Sequence, residues 1–180
     1  FEISRTLFTG INKHKNMNHS MGSMNHKNMK SHKMPKEKPT WVYPHPNDRY
    51  LYVVNNGTDY VVEIDINKWA ISRKFNTDKG PYNCEVSPNG KYLVITYKSA
   101  AKTGIWDLKS GIELARMKNT RRVTHGVVIS PDSRYAFVSV EGIRGEPGSV
   151  DIFDLENLVL VDHVEVGKQA GGIAFWKMSD

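Results

Sequence analysis

The residues best suited to chemistry in this chain are methionines and histidines gathered in one short segment. Residues 12–39 contain four of the seven His and five of the seven Met. Thioether sulfur and imidazole nitrogen form a soft ligand set, and soft thioethers select copper(I) over Zn, Mg or Ca. Because one or two residues separate neighbouring ligands, a flexible chain can wrap several of them around one ion. We therefore predict a copper(I) site built from His14, Met17, His19, Met21, Met24, His26, Met29, His32 and Met34.

The same segment lacks the residues that build a core. It has no Phe, Trp or Tyr and almost no aliphatic side chain, so it is predicted to be a disordered insertion over residues 11–39. Six lysines interspersed over residues 13–36 repel a cation, but screening reduces this penalty for a singly charged ion. Two alternatives stay open. The segment is either a solvated loop that binds no metal, or a contact site for an anion or a partner.

Chemistry-bearing residues outside this segment are isolated. The single cysteine, Cys84, cannot form an internal disulfide, and its match in the repeat to the inward-facing positions of Val127 and Ile173 predicts a buried, unreactive thiol. His125 begins an apolar run and is read either as a packing residue or as a site residue. His163 is predicted to be solvated. The sequence contains no GxSxG, no HExxH, no phosphate-binding glycine loop and no paired CxxC.

The elements that position these residues are indicated by a repeat. The pattern Pro-(Asn/Asp)-x-(Arg/Lys)-Tyr starts at Pro46, Pro88 and Pro131, in steps of 42 and 43 residues. Proline presets φ, and Asn or Asp caps its own backbone two residues later, so each copy predicts a turn. Short runs rich in β-branched and aromatic residues surround each turn and predict strands. A period near forty residues built from such runs is typical of a β-propeller.

Each repeat divides into four strands, and two further features recur with them. An acid ends the third strand in every copy, and this recurrence predicts a structural role in capping the next turn. These acids are Asp65, Asp107 and Asp154. The four tryptophans are predicted to pack between blades, where large aromatic surfaces are buried. They are Trp41, Trp69, Trp106 and Trp176.

These patterns predict an all-β fold with almost no helix, a β-propeller of about three complete four-stranded blades plus strands of two partial blades. Residues 1–10 are predicted to be the last strand of a preceding blade. The blades occupy residues 40–180, divided at about 40–79, 80–122, 123–168 and a partial 169–180. About four to eight blades close a ring. The chain is therefore expected to be the C-terminal part of a longer protein, with two chains completing one ring as the alternative.

Two stretches carry family resemblances. The segments VSPNGKYLVIT and ISPDSRYAFVS, with VDIFDL downstream, resemble the YVTN-type β-propeller repeat. That group is similar to lactonase-like propellers and to the haem d1 domain of cytochrome cd1 nitrite reductase. The resemblance covers residues 40–176 and implies a periplasmic or extracellular protein. The stretch NMNHSMGSMNHKNM resembles the Met/His boxes of periplasmic copper-resistance proteins.

The haem comparison concerns the channel of the predicted ring. His125 resembles the haem-facing histidines of the haem d1 propeller, and Tyr43 and His45 flank the equivalent strand of the first blade. The haem-binding set of that family is not matched residue by residue, so haem is not expected from this stretch.

Charge and hydropathy narrow the function. The net charge of +6 lies within residues 1–40, which leaves residues 41–180 neutral and argues against a nucleic-acid partner. No apolar run is long enough to span a membrane. We predict a noncatalytic extracytoplasmic binding or scaffold protein whose partners are copper ions or a protein on the channel face. The alternative is an enzyme, lactonase-like or of the haem d1 redox type, with its site in the central channel.

Overall fold

The fold consists of β-strands throughout the part of the chain that the structure describes. The computed structural model describes residues 5, 7, 9, 10 and 36–178, and no helix occurs among them. Twelve strands form three four-stranded antiparallel sheets, which confirms the predicted all-β blades. The described residues therefore offer no helix that could cross a membrane. Most of the predicted strand over residues 1–10 lies outside the described residues. All nine predicted metal ligands lie outside them.

Each sheet is a meander in which the strands follow one another in chain order. The first sheet contains β1 (Pro39–Pro44), β2 (Tyr50–Asn55), β3 (Tyr60–Asp65) and β4 (Ala70–Asn76). The second contains β5 (Pro81–Val86), β6 (Tyr92–Tyr97), β7 (Lys102–Asp107) and β8 (Ile112–Lys118). The third contains β9 (Val123–Ile129), β10 (Tyr135–Glu141), β11 (Gly148–Asp154) and β12 (Val159–Val166).

Apolar residues between the sheets form the core. One cluster, which includes Val54, Phe75 and Leu93, joins the first sheet to the second. Another, which includes Ile105, Val138 and Phe153, joins the second sheet to the third. The inner strands β1, β5 and β9 lie side by side along one edge of this stack. The sheets therefore pack as blades do, with one strand of each at a common inner edge.

The three Pro-Asn/Asp turns have the same conformation. The third residue of each pattern lies in the left-handed region, with φ of 56° at Asp48, 72° at Gly90 and 63° at Ser133. The Asn or Asp side chain accepts a hydrogen bond from the backbone two residues later, at 3.0, 3.0 and 3.1 Å in the three copies. The predicted capping by Asn or Asp is confirmed in every repeat.

The acids that end the third strands cap turns, as predicted. The Oδ1 atom of Asp65 accepts hydrogen bonds from the backbone N–H groups two and three residues later. The Oδ1 atom of Asp154 accepts the equivalent pair. Asp107 accepts the backbone N–H of Ser110. These hydrogen bonds hold the pKa of each carboxyl below its ordinary value. Asp65 also pairs with Arg49 of the preceding turn at 3.1 Å, which gives the basic position of the repeat a structural role.

The predicted role of the tryptophans is only partly correct. Trp106 is buried and lies edge-on to Phe75 of the neighbouring sheet, with ring centroids 5.6 Å apart. Trp41 and Trp176 are 46% and 89% exposed, so the prediction that they pack between blades is wrong. Trp41 faces an open groove, and Trp176 follows the last residue of the segment that lines it. Trp69 lies in the turn between β3 and β4.

The segment after β12 runs beside the inner strand of the third sheet. Residues 171–176 alternate between half-buried and exposed, as an extended chain does, but they form no strand ladder. The carbonyl of Gly171 accepts a hydrogen bond from the Ser139 hydroxyl. A Cβ at Gly126 would lie 3.1 Å from both the Gly171 oxygen and the Ile173 side chain. Glycine at position 126 therefore permits this close approach.

Candidate functional site

The inner strand of each sheet contains a β-bulge at the same place in the repeat. The pairing register shifts between Pro39 and Trp41 in the first sheet and between Pro81 and Asn83 in the second. In the third sheet the shift lies opposite Ser139. Bulges re-aim side chains and are frequent beside functional sites. Here they bring Thr40, Tyr82 and His125, one residue from each sheet, to equivalent positions along the inner edge.

A groove crosses these inner strands. Its volume is about 410 Å³, within the range of about 300–1,000 Å³ that is typical of small-molecule sites. Aromatic side chains and a few polar groups line it, together with the extended segment over residues 172–175. The aromatic and polar side chains of the lining include Trp41, Tyr43, Tyr82, Asn83, Glu85, His125 and Phe175.

The bulge residues form a row of direct contacts. The hydroxyl of Thr40 donates a hydrogen bond to the carbonyl of Tyr82 at 2.7 Å. The rings of Tyr82 and His125 follow, with centroids 4.5 Å apart and planes inclined by 58°. The ammonium of Lys98 lies 4.2 Å from the centroid of the Tyr82 ring, a cation–π geometry. The row therefore places one hydroxyl, one phenol ring and one imidazole along the groove.

His125 is held in its neutral form. Its Nε2 atom lies 3.4 Å from the Glu141 carboxylate. Burial and the nearby Lys98 ammonium lower the pKa of His125, and they outweigh the opposing effect of Glu141. At neutral pH the imidazole is uncharged, so it offers the groove one donor and one acceptor and no positive charge.

Glu85 is a half-buried carboxylate on the groove wall. Its Oε1 accepts the backbone N–H of Ile129 at 2.9 Å, across the boundary between the second and third sheets. The Tyr43 hydroxyl lies near this carboxylate on the same groove wall. Burial raises the pKa of Glu85 to about 7, and burial together with this carboxylate raises the pKa of Tyr43 to about 12. Among the described residues, no Lys, Arg or His forms an ion pair with Glu85.

Asn83 lies two residues before Glu85 on β5 and also lines the groove. The residue is 6% exposed. Its backbone N–H donates to the Thr96 hydroxyl at 3.0 Å, yet its buried Oδ1 accepts no hydrogen bond from the residues that the structure describes. A buried acceptor without a donor costs about 1–3 kcal/mol. Asn83 therefore has an unsatisfied acceptor next to the groove.

The predicted site residues have different outcomes. His125 lies in the groove with Tyr43, whereas His45 points to the Gly90 carbonyl, with its Nε2 atom 3.3 Å from that oxygen. Cys84 is fully buried and burial raises its pKa, which confirms the prediction of an unreactive thiol. His163 is exposed, as predicted. Within the described residues no three His, Cys, Asp or Glu side chains are close enough to hold a metal. The Met/His site stays a prediction.

Sequence reasoning missed Asn83 and Glu85, although the repeat contained a signal for both. The equivalent residues are Trp41 and Tyr43 in the first repeat and Gly126 and Val128 in the third, so of these three repeats the second alone has an amide and a carboxylate at these two positions. Their spacing of two puts both on one face of a strand. Comparison of inner strands between repeats would have identified them.

Comparison with known proteins agrees with the fold that the sheets define. No known family matches the sequence, and no curated protein matches it. Many solved structures resemble the chain, and three of them illustrate the likeness. The first is hydrazine synthase of Kuenenia stuttgartiensis, with a TM-score of 0.56 and 15% identity over 81% of this chain and 53% of the other.

The other two are U3-55K and the WD40 repeats of RRP9. U3-55K gives a TM-score of 0.65 at 14% identity, and the match covers 73% of this chain and 40% of the other. The RRP9 repeats give 0.64 at 14% identity, covering 73% and 39%. At these identities the likeness shows the fold alone, and this chain spans about half the length of these structures or less. The protein has a β-propeller fold, and the YVTN resemblance stays a prediction.

Proposed function

We propose that the protein is a noncatalytic β-propeller binding protein whose ligand occupies the groove across the inner strands. The observation that carries the proposal is the groove itself, which joins an aromatic lining to the half-buried carboxylate of Glu85. A carboxylate held partly out of water with one hydrogen-bond donor is costly to the empty protein, and a bound molecule that supplies a partner compensates this cost.

The other groove residues support binding over catalysis. Burial and the nearby Glu85 carboxylate raise the pKa of the Tyr43 hydroxyl to about 12, so it is a poor nucleophile at neutral pH. The Thr40 hydroxyl donates to a backbone carbonyl and the Cys84 thiol is buried. His125 contacts Tyr82 and Glu141. An aromatic groove with a few fixed polar groups is typical of a binding site.

Ligand-observed NMR with a set of neutral, anionic and cationic fragments tests this proposal. Gly172 lines the groove and a Cβ there would meet nothing within 4 Å, so Gly172→Phe adds a bulky side chain to the lining at an open position. We expect some fragments to bind the natural protein and to lose most of that binding in Gly172→Phe. Gly167→Phe, at a similarly open position that does not line this groove, is the matched control and should bind them normally.

The outcome against the proposal is defined by the same pair of variants. If no fragment binds, or if fragments bind Gly172→Phe as well as the natural protein, the groove is not a ligand site.

A second function is proposed for the Met/His segment, namely binding of copper(I). It is supported by the nine Met and His residues at short, regular spacings over residues 14–34. We also propose a periplasmic or extracellular location, because this segment resembles the Met/His boxes of periplasmic copper-resistance proteins.

Copper(I) titration in the presence of a competing chelator tests the segment. Replacing its five methionines by leucine keeps their apolar bulk and removes the thioethers. We expect the affinity of the full chain for copper(I) to fall by about 100-fold or more. The control changes the two methionines outside the segment, Met117→Leu and Met178→Leu, and should leave the affinity unchanged. Equal affinity of the two variants would rule out thioether ligation.

A further inference from the structure

We propose that the groove recognises an organic cation with N–H donors, a primary ammonium or a guanidinium group, with Glu85 as its counter-ion. This inference rests on the proposed function, since it names the chemical class of the ligand that the groove binds. Three features of the described residues support it: the charge state of the buried carboxylates, the aromatic lining, and the acceptor on Asn83.

The first feature is that Glu85 has fewer ion-pair and hydrogen-bond partners than several other acids of the chain. Glu63 is paired with Arg73, Asp65 with Arg49, and Asp78 with Lys102 at 2.9 Å. Asp151 has no cation among the described residues, but hydrogen bonds from Asn119, the Thr120 N–H and hydroxyl, and the Ser149 hydroxyl surround its two oxygens.

Among the described residues, the Glu85 carboxylate accepts one hydrogen bond, from the N–H of Ile129. One side of its carboxylate is therefore open to the groove. Removing a carboxylate from water without a full set of partners is unfavourable, and a cation bound beside it removes that cost.

The second feature is the aromatic surface around this carboxylate. Trp41, Tyr43, Tyr82 and Phe175 line the groove. The faces of aromatic rings carry negative potential and attract cations, more strongly where water is excluded. Trp41 is 46% exposed in the protein, so its ring is accessible to a ligand. The Lys98 ammonium lies over the Tyr82 ring, and Lys98 is not among the lining residues.

The third feature selects among cations. Asn83 shares a strand face with Glu85 and has an unpartnered side-chain oxygen next to the groove. Ammonium and guanidinium groups carry several N–H donors for a site rich in acceptors, whereas a quaternary ammonium has none. Free amines and the Lys or Arg side chains of a partner protein both present this chemistry, and the panel of probes below separates the two sources.

Isothermal titration calorimetry tests the inference with defined probes. We expect n-butylammonium and ethylguanidinium to bind, tetramethylammonium to bind more weakly, and butyrate not to bind. The blocked tripeptide Gly-Arg-Gly binds more tightly than ethylguanidinium if the natural ligand is a protein side chain, and no more tightly if it is a free cation. Either result is consistent with the recognised group, and the comparison identifies its source.

The charge of Glu85 is tested by an isosteric change. Glu85→Gln keeps the shape of the side chain and should weaken n-butylammonium binding by about tenfold or more, because the charge-assisted hydrogen bond is lost. Glu156→Gln, at an exposed carboxylate in the turn between β11 and β12, is the matched control and should bind normally.

The pH dependence gives a readout that a structural role would not produce. Because the pKa of Glu85 is about 7, affinity should be roughly tenfold weaker at pH 6 than at pH 8. The other titratable groups near it are Tyr43 from β1, Cys84 on its own strand and His125 from β9. Burial raises the pKa of Tyr43 and Cys84, so both stay protonated over this range, and the pKa of His125 is lowered. Any pH dependence of the affinity that remains in Glu85→Gln measures the contribution of His125.

The results that would overturn the inference do not depend on a variant's folding. Butyrate binding as tightly as n-butylammonium, or equal binding of tetramethylammonium, contradicts it in the natural protein. If neutral or anionic fragments bind the groove and are blocked by Gly172→Phe while cations fail, the groove remains a binding site and only its assignment to cations is wrong.

Discussion

Arg73→Ala is expected to lower the free energy of unfolding by about 3–5 kcal/mol, the cost of leaving a buried carboxylate without its cation. Glu63 is 2% exposed and accepts hydrogen bonds from Arg73, from the Tyr52 hydroxyl at 2.8 Å and from the Ser72 hydroxyl at 2.7 Å. Burial raises the pKa of Glu63, but these hydrogen bonds outweigh it and hold the pKa below its ordinary value. Arg73 also donates to the Leu108 carbonyl of the next sheet at 2.7 Å.

Urea denaturation at pH 7 measures this loss. Arg49→Ala is the matched control, because Arg49 pairs with Asp65 at 3.1 Å but its side chain is 49% exposed. Asp65 is as buried as Glu63 but keeps the backbone N–H donors of Asn67 and Lys68 when Arg49 is removed, so this variant should lose clearly less stability than Arg73→Ala. The ion pair stabilises the protein above the ordinary pKa of a carboxyl, and that stability is lost as pH falls through the lowered value. The gap between Arg73→Ala and the natural protein should therefore narrow in acid. A loss below 1 kcal/mol would show that Glu63 is solvated.

The fold was predictable because its determinants are local and repeated. A turn that needs Asn or Asp at one position and a left-handed backbone at the next leaves the same pattern in every copy, as residues 46–49, 88–91 and 131–134 show. The acids that cap the later turns recur for the same reason. Tryptophan positions were less predictable, since burial between sheets depends on which face of a strand meets a neighbour. Trp106 meets one, and Trp41 faces the groove.

The candidate site was only partly predictable, because it depends on differences between repeats and on contacts across sheets. His125 could be identified from its place at the start of an inner strand. The environment of the Glu85 carboxylate depends on a hydrogen bond from Ile129, which is 44 positions away. This residue reaches Glu85 only when the second and third sheets pack together. The bulges that aim Thr40, Tyr82 and His125 into the groove leave no distinct residue pattern. The Met/His segment is visible only as composition, and composition does not define ligand geometry.

Phe153→Ala is expected to destabilise the protein by about 3–5 kcal/mol, because it opens a cavity between the second and third sheets. The Phe153 side chain is fully buried there, in a cluster with Ile105 and Val138. A single urea transition that shifts as a whole would show that the sheets unfold together, as blades that share one core should. Trp176→Ala removes a larger aromatic side chain that is 89% exposed, so it should change stability by less than about 0.5 kcal/mol. Equal effects of the two substitutions would contradict the packing of the third sheet on the second, and with it the groove that these sheets enclose.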